Sequence, residues 1–483
     1  MSDILQPIIL PAWIVSLPLV AAGLSVVLPN IGRRAAFVTA AAISVLVAML
    51  GKEVLRQGTV RMQVGGWPPP LGIELVADGL SVVMLAVAAV VIGAATLYAT
   101  GYLRRDRASR AFWPLWFFLW SALNALFLAG DIFNLYVTLE LLGLSAVSLV
   151  ALSRTNEALP AAMRYLLVSL TGSLSYLMGV ALLYAAKGTL NLNLLAAAQP
   201  GSPALVTAFA LMAAGLIMKS ALFPLHFWLP PAHASAPAPV SAALSALVVK
   251  ASFYILIRLW LAIFEPFVNP TTAQLLGALG VAAIIWGSVQ ALAAERLKLL
   301  VAYSTVAQIG YLFLIFPLTL ISDTGQTAWQ GGFYFVISHA CAKAAIFLAA
   351  GNVMHSIGHD RINELTGIVR RLPVSMFAFA LAGVSLIGLP PSGGFIAKWL
   401  YLNAALTGGQ WWWCAFILLG GLLATAYVFR FFSRAFSHAP DIVPGRPVPR
   451  MMEWTAFTLA LCAILLGLTA PAVIRLLMAG KPI

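Results

Sequence analysis

The sequence carries very little charge: only 9% of its 483 residues are Asp, Glu, Lys or Arg. A soluble domain carries about 25%, so a chain covered by water over most of its surface is excluded. Cysteine is almost absent as well. Cys341, Cys414 and Cys462 stand apart in apolar runs and form no CxxC pair, which argues against iron–sulfur ligation, zinc or a disulfide framework. No GxGxxG loop opens a βαβ unit and no P-loop occurs, so bound nucleotides and phosphoryl chemistry have no site here. The expected set of cofactors and metals is empty. Acidic residues are scarce, 15 against 28 Lys plus Arg, for a net charge of +13. Those cations are dispersed over loops rather than gathered in one domain, so nucleic acid is not an expected partner.

What is there instead is hydrophobic length. Some 62% of residues are hydrophobic and the mean hydropathy is +0.97, the signature of a polytopic membrane protein. A spanning helix needs about 20 apolar residues. Fourteen such spans are expected, at 8–28, 34–50, 80–101, 112–129, 131–152, 161–186, 203–224, 237–262, 273–292, 299–318, 330–353, 373–400, 409–435 and 454–477. The start of the chain lacks a basic n-region and reads as the first span rather than a signal peptide. The loop 51–79, with GGWPPP at 65–70, is expected as a small hairpin or a segment lying on the membrane. Trp67 and Trp411–Trp413 suit the interfacial belt.

Loop charge supplies an orientation. Loops after odd-numbered spans hold Arg33 and Arg34, the RRDRASR run at 104–110, Arg154, Arg164, Arg296, Lys298, Arg361, Arg370, Arg371, Arg430, Arg434, Arg446 and Arg450. Loops after even-numbered spans hold only Lys52, Arg56, Arg61, Lys187 and, at a helix end, Arg258. Positive loops stay inside, so the odd loops are expected in the cytoplasm and both termini on the periplasmic or extracellular side of a bacterial cytoplasmic membrane.

Once the loops are set aside, Glu140, Lys219, Lys250, His339, Lys343 and Lys398 remain inside predicted helices. Each Lys or Glu near mid-membrane costs at least ~2.5–3.5 kcal/mol on insertion scales, and such residues mark ion paths. A buried lysine beside a carboxylate can be tuned towards neutral pH, and His339 and Lys343, four residues apart, share a helix face. Tyr303 and Ser304 are candidate linkers. Two of the spans are broken. Pro224 follows Lys219 by five residues and opens an elbow carrying His226 and His233, candidates for a proton entrance. Pro390 and Pro391, before Gly393 and Gly394, break a second span that carries Lys398. Proline removes a helical hydrogen bond and clashes with the preceding turn. Two lysine-bearing broken helices, five spans apart, suggest inverted five-helix repeats.

The expected layout is therefore all-α: spans one to three in 1–111, a first five-helix repeat in 112–262, a second in 273–435 and a last helix in 454–483.

GDIFNLYVTLELL (130–142), KSALFPLHFWLPPAH (219–233), APAPVSAALSALVVKASFY (236–254), RLKLLVAYSTVAQIGY (296–311), HACAKAAIFLAAG (339–351) and LPPSGGFIAKWL (389–400) together resemble the antiporter-like subunits shared by respiratory complex I, membrane-bound hydrogenases and Mrp-type cation/proton antiporters. The likeness is strongest to the D-type subunit of the Mrp antiporters. It implies fourteen helices, two inverted five-helix bundles and a central charged row. It assigns Glu140 as modulator of Lys219, Lys250 as the connecting lysine, His339 and Lys343 as the bridge and Lys398 as the terminal proton carrier. It also implies other membrane subunits as partners in a hetero-oligomeric complex, and protons as the transported ion, with sodium a second candidate. The expected function is a proton-translocating subunit of an Mrp-like sodium/proton antiporter. A redox-driven complex of the complex I or hydrogenase type, with NADH or quinone chemistry on other chains, and proton-driven inorganic carbon uptake are the alternative settings.

Overall fold

The computed structural model describes residues 9–103, 107–197, 203–264, 269–320, 324–437 and 445–480, the side chains of 107, 108 and 203 excepted. The basic run at 104–110 thus lies largely outside the described residues, as do the first and last residues of the chain.

Several helix starts follow capping chemistry. The chain opens with α1 (Leu10–Val27) and α2 (Gly32–Gln57). Residues 60–77 then form the hairpin that was one of two expectations for this loop: β1 (Val60–Gln63) pairs antiparallel with β2 (Glu74–Ala77), Val60 opposite Ala77. Asp78 follows, its carboxylate accepting from the Ser81 N–H at 2.8 Å, and caps α3 (Gly79–Tyr102). After α4 (Arg107–Leu128), Asp131 caps α5 (Ile132–Ala151) in the same way, through the Asn134 N–H. An acceptor here satisfies one of the four amides that no helix can pair internally. Next come α6 (Ala158–Lys187), the short α7 (Leu192–Ala196) and α8 (Pro203–Lys219).

The helix expected over 203–224 ends at Lys219, and Pro224 lies in the turns that follow, before α9 (Leu229–Ser235). From Ala238 the chain is helical to Phe264 but not regular: α10 (Ala238–Ala243) and α11 (Val249–Leu259) are joined by a π turn at Leu244–Val248, and a second π turn follows at Trp260–Phe264. Then come α12 (Pro270–Ala293), α13 (Leu297–Phe313), α14 (Ile315–Thr319), α15 (Gly325–Ile357) and α16 (Ile368–Arg371). The second expected break separates α17 (Pro373–Ile387) from α18 (Gly393–Thr407), where Ser392 caps the new helix by accepting from the Phe395 N–H. The chain closes with α19 (Trp412–Ala435), α20 (Arg450–Leu465) and α21 (Ala470–Leu477).

Among the described residues, eleven helices are long and apolar enough to cross a membrane, twelve if α20 and α21 count as one span. That last pair was expected as a single helix over 454–477; it bends by 83°. Gly467 sits at the bend, where an added Cβ would run into the Pro391 carbonyl, so the bend packs onto the break between α17 and α18. Elsewhere the spans approach through glycine. Gly172 of α6 faces Gly215 of α8, and Gly280 of α12 faces Gly310 of α13, each Cα lying against the other's carbonyl. Small residues are how membrane helices gain close packing, since lipid is as apolar as leucine.

The Ala238–Phe264 run and α15 have no exposed face over their apolar windows. Helices α3, α10, α13, α17, α18 and α20 all pack against α15. A helix apolar all round belongs at the centre, and these two central elements carry Lys250, His339 and Lys343.

Candidate functional site

The site begins where three helices meet. Glu140 of α5, Ser173 of α6 and Lys219 at the end of α8 converge. The Lys219 ammonium donates to Glu140 Oε1 at 3.1 Å, and the Ser173 hydroxyl donates to the same oxygen. Gly143, one turn beyond Glu140, lies against Ser169 of α6: an added Cβ would stand 2.6 Å from the Ser169 hydroxyl oxygen, with Lys219 Nζ at ordinary contact distance. A cavity of about 10 Å³ lies beside it, lined by Ser169, Lys219, Val248 and Ser252 among others. That is close to the smallest space that holds a water, and it points from Lys219 towards the helix of Lys250.

Lys250 is fully buried, and its ammonium donates to the carbonyls of Ser245 at 2.6 Å and Ala246 at 2.9 Å. Both lie in the π turn. A regular helix pairs each carbonyl with the amide four residues on; the wider turn disturbs that pairing and leaves acceptors. Lys343 on α15, also fully buried, donates to the Val301 carbonyl at 2.9 Å and to the Ser304 hydroxyl. Lys398 on α18 reaches back across the break to the last carbonyls of α17, Leu386 at 3.1 Å and Ile387 at 2.8 Å. The C-terminal carbonyls of a helix are unpaired and carry its negative dipole end, so the break supplies a neutral cradle for a cation. The Tyr311 ring completes it, 4.5 Å from the ammonium to the centroid.

Two histidines stand between these lysines. His233 on α9 lies within electrostatic range of Lys250, Lys298 and Lys343. His339 lies within range of Lys250, Lys343 and Lys398. Among the described residues, no protein group hydrogen-bonds either ring nitrogen of either histidine, although buried polar atoms are nearly always paired. His339 and Lys343 share a face as expected, yet Lys343 bonds Ser304 rather than the histidine. The elbow histidines separate. His226 lies against the Phe223 ring near the surface, 8% exposed, whereas His233 is fully buried. Tyr303 is half-buried and makes no hydrogen bond to the row among the described residues.

Sequence reasoning missed two buried cations by counting them as loop or helix-end charges. Lys298 is only 4% exposed and donates to the Ala236 carbonyl. Its own amide donates to Asp360 at 3.0 Å, Asp360 also accepts from Arg296 at 2.9 Å, and Arg296 reaches Glu157 at 2.8 Å on the surface. Burial alone would lower the Arg296 guanidinium; hydrogen bonds from Glu157 and Asp360 and their charges raise it instead. The clue was position: Lys298 is followed at once by LLVAYS. Arg258 is the second. It sits two turns beyond Lys250 and forms a two-pronged pair with Asp78, at 2.7 and 2.8 Å, with Ser81 and Tyr254 beside it. Burial would raise the Asp78 carboxyl, but the Arg258 charge, together with the hydrogen bonds from Arg258 and Ser81, outweighs it and holds the carboxyl below its ordinary value.

Among the described residues, no three histidine, cysteine or acidic side chains converge as a metal site requires. The chemistry the arrangement offers is proton exchange between amines, imidazoles and hydroxyls.

Comparison with known proteins agrees with that chemistry. Residues 129–424 match the family described as NADH:quinone oxidoreductase/Mrp antiporter, TM. The chain is 38% identical to NADH-quinone oxidoreductase subunit N of Desulforudis audaxviator, over 91% of this chain and 89% of that one. It is 29% identical to the D-type subunit of the Na(+)/H(+) antiporter of Alkalihalophilus pseudofirmus, over 80% and 78%. The oxidoreductase relative is the more similar of the two, so the leaning of the motifs towards the D-type antiporter subunit gains no particular support. A chain in the structure of the Mrp complex from Dietzia sp. superposes with a TM-score of 0.89 at 25% identity, covering 98% of this chain and 96% of that one. The chain is a multi-pass membrane subunit and belongs to the NADH:quinone oxidoreductase/Mrp antiporter transmembrane family.

Proposed function

We propose that this chain carries protons through the membrane core of a multisubunit complex, along the row Lys219, Lys250, Lys343, His339 and Lys398. One observation carries the reading. Apart from Lys219, each lysine of the row is held only by carbonyls, a hydroxyl or an aromatic ring. Such a lysine can release its proton without leaving a buried carboxylate unpaired. A lysine in a tight ion pair cannot, because breaking a buried pair costs about 3–5 kcal/mol. Glu140 is the exception and fits a control role: its charge holds the proton on Lys219 until the pair is disturbed. The surface network Glu157–Arg296–Asp360 leads through Lys298 to His233 and offers an entrance, with His226 near the elbow as an accessory. The helices of 112–262 and 273–435 act as the two repeats that place one broken helix each beside the row.

Two settings suit this module. The 38% identity to a protein named for NADH-quinone oxidoreductase supports a redox-driven complex. The relatives named as Na(+)/H(+) antiporter subunits and the fit to a chain of the Mrp complex support sodium/proton exchange. Everted vesicles containing the assembled complex test both the row and the setting. With a pH-sensitive dye, Lys219→Ala is expected to abolish proton movement while the protein stays in the membrane. Wild-type proton movement in that variant would refute the role of the row. In the wild type, a response to a sodium pulse indicates exchange, and a response to NADH or a quinol indicates the redox setting.

A further inference from the structure

A second site lies away from the lysine row and shares no lining residue with it. Where α1 turns into α2 and α3 hands over to α4, a cavity of about 370 Å³ opens at one membrane face, lined by Asn30, Arg33, Arg34, Thr100, Arg110 and Trp113 among others. Its construction is local. An added Cβ on Gly32 would stand 2.8 Å from the Trp113 side chain, so only glycine lets the α1–α2 turn lie flat on that indole. The turn then sets Arg33 and Arg34 beside Arg110 of α4.

The electrostatics of the cavity are one-sided. Among the described residues, no carboxylate lines it and no ion pair engages Arg33, Arg34 or Arg110. No side chain caps α2, its first turn holds no acid, and that turn lines the cavity. A free helix N-terminus adds partial positive charge and N–H donors suited to phosphate. A positive topogenic loop needs arginines in it, but it needs neither a concave site nor an uncapped helix between them. The surface leading away from the turn is apolar: Val27 is 75% and Val38 70% exposed, with Leu24, Leu28 and Phe37 beside them. Cations at the face and bare aliphatic helix surface next to them match a molecule with an anionic head and fatty tails.

We propose that this cavity binds the headgroup of one anionic phospholipid, with its acyl chains along α1 and α2. Three arginines engage the phosphodiester, and the N-terminus of α2 supplies further donors. Basic pockets between membrane helices recognise such headgroups, and each basic residue near an anionic surface contributes about a five-fold gain in binding.

Native mass spectrometry on the full-length chain, extracted in mild detergent and titrated with phosphatidylglycerol or phosphatidylcholine, tests this. The wild type should hold one phosphatidylglycerol in preference to phosphatidylcholine. The triple variant R33Q/R34Q/R110Q should bind it about 100-fold more weakly. The variant R154Q/R164Q, which neutralises two exposed arginines elsewhere, should bind as the wild type does. Should the triple variant fail to accumulate, R110Q alone should show a loss of about five-fold, restored by R110K. Equal binding by wild type and triple variant would overturn the proposal. So would an equal loss in R154Q/R164Q, which would mean diffuse surface charge. Displacement of the lipid by inorganic phosphate at about 10 mM would also overturn it, because a free-anion site needs no acyl chains.

Discussion

Replacing Glu140 tests the control role assigned to it, and the structure sets the scale of the effect. The Lys219 ammonium lies 3.1 Å from Glu140 Oε1, and no other hydrogen bond is made by that ammonium among the described residues. At an effective dielectric of about 20, opposite unit charges at that separation attract by about 5 kcal/mol. Glu140→Asp withdraws the carboxylate by one carbon, about 1.5 Å. At about 4.6 Å the attraction falls to about 3.6 kcal/mol, a loss of roughly 1.7 kcal/mol or about 20-fold in the population of the paired state. Glu140→Gln removes the charge, leaves a buried ammonium facing a neutral amide, and should cost about 3–5 kcal/mol, which is more than about 100-fold. Proton movement in everted vesicles should therefore be impaired but measurable in Glu140→Asp and at background in Glu140→Gln. Immunoblots must show equal amounts of the protein in the membrane. Wild-type rates in both variants would refute the reasoning, and so would an Asp variant as inactive as the Gln variant, because distance would then not be the controlling quantity.

The other expectations concern the two cations that loop-charge patterns place outside the core. Arg258→Leu leaves Asp78 buried and unpaired and should destabilise the protein by about 3–5 kcal/mol, whereas Asp78→Leu with Arg258→Leu should recover most of that loss; thermal unfolding in detergent reads both, and an equal loss in the double variant would contradict the pairing argument. The stabilisation from Asp78 has a definite pH sign. Its folded-state carboxyl lies below the ordinary value, so the contribution is complete at neutral pH and is lost as pH falls through that lowered value. Lys298→Gln should slow proton movement while the protein remains assembled, and Lys298→Arg should retain more activity; full activity in Lys298→Gln would remove the Lys298–His233 branch from the path.

The positions of the helices were readable because membrane spans are long and apolar. The two breaks were readable from proline. Four things were not. The π turn at Leu244–Val248 has no composition that separates it from a regular helix. The bend between α20 and α21 depends on Gly467 meeting Pro391, a contact between segments far apart in sequence. The pairing of Arg258 with Asp78 spans 180 residues, and local charge patterns say nothing at that distance. The burial of Lys298 was obscured for a different reason. A cation at a helix end is ordinarily topogenic, and only the packing of α13 against α9 encloses this one.

For Lys250 and Lys398, the irregular backbone and the lysine form one device. In a regular helix each interior carbonyl already accepts one amide and offers a side chain only its second lone pair, as the Val301 carbonyl of α13 does to Lys343. Lys250 finds its acceptors where the helix widens into a π turn, and Lys398 finds them where α17 stops. The disruption at Pro390–Pro391 therefore does more than loosen the span: it releases the Leu386 and Ile387 carbonyls at the depth where Lys398 needs them. Irregular backbone is tolerated at membrane depth only when protein surrounds it, and Ser245, Ala246 and Lys250 are all buried. The same carbonyl cradle explains why carboxylates are rare in the row. In the proposed relay, neutral acceptors would hold each ammonium while letting the proton leave, and only the first lysine, Lys219, is paired with a carboxylate, Glu140, that would control its release.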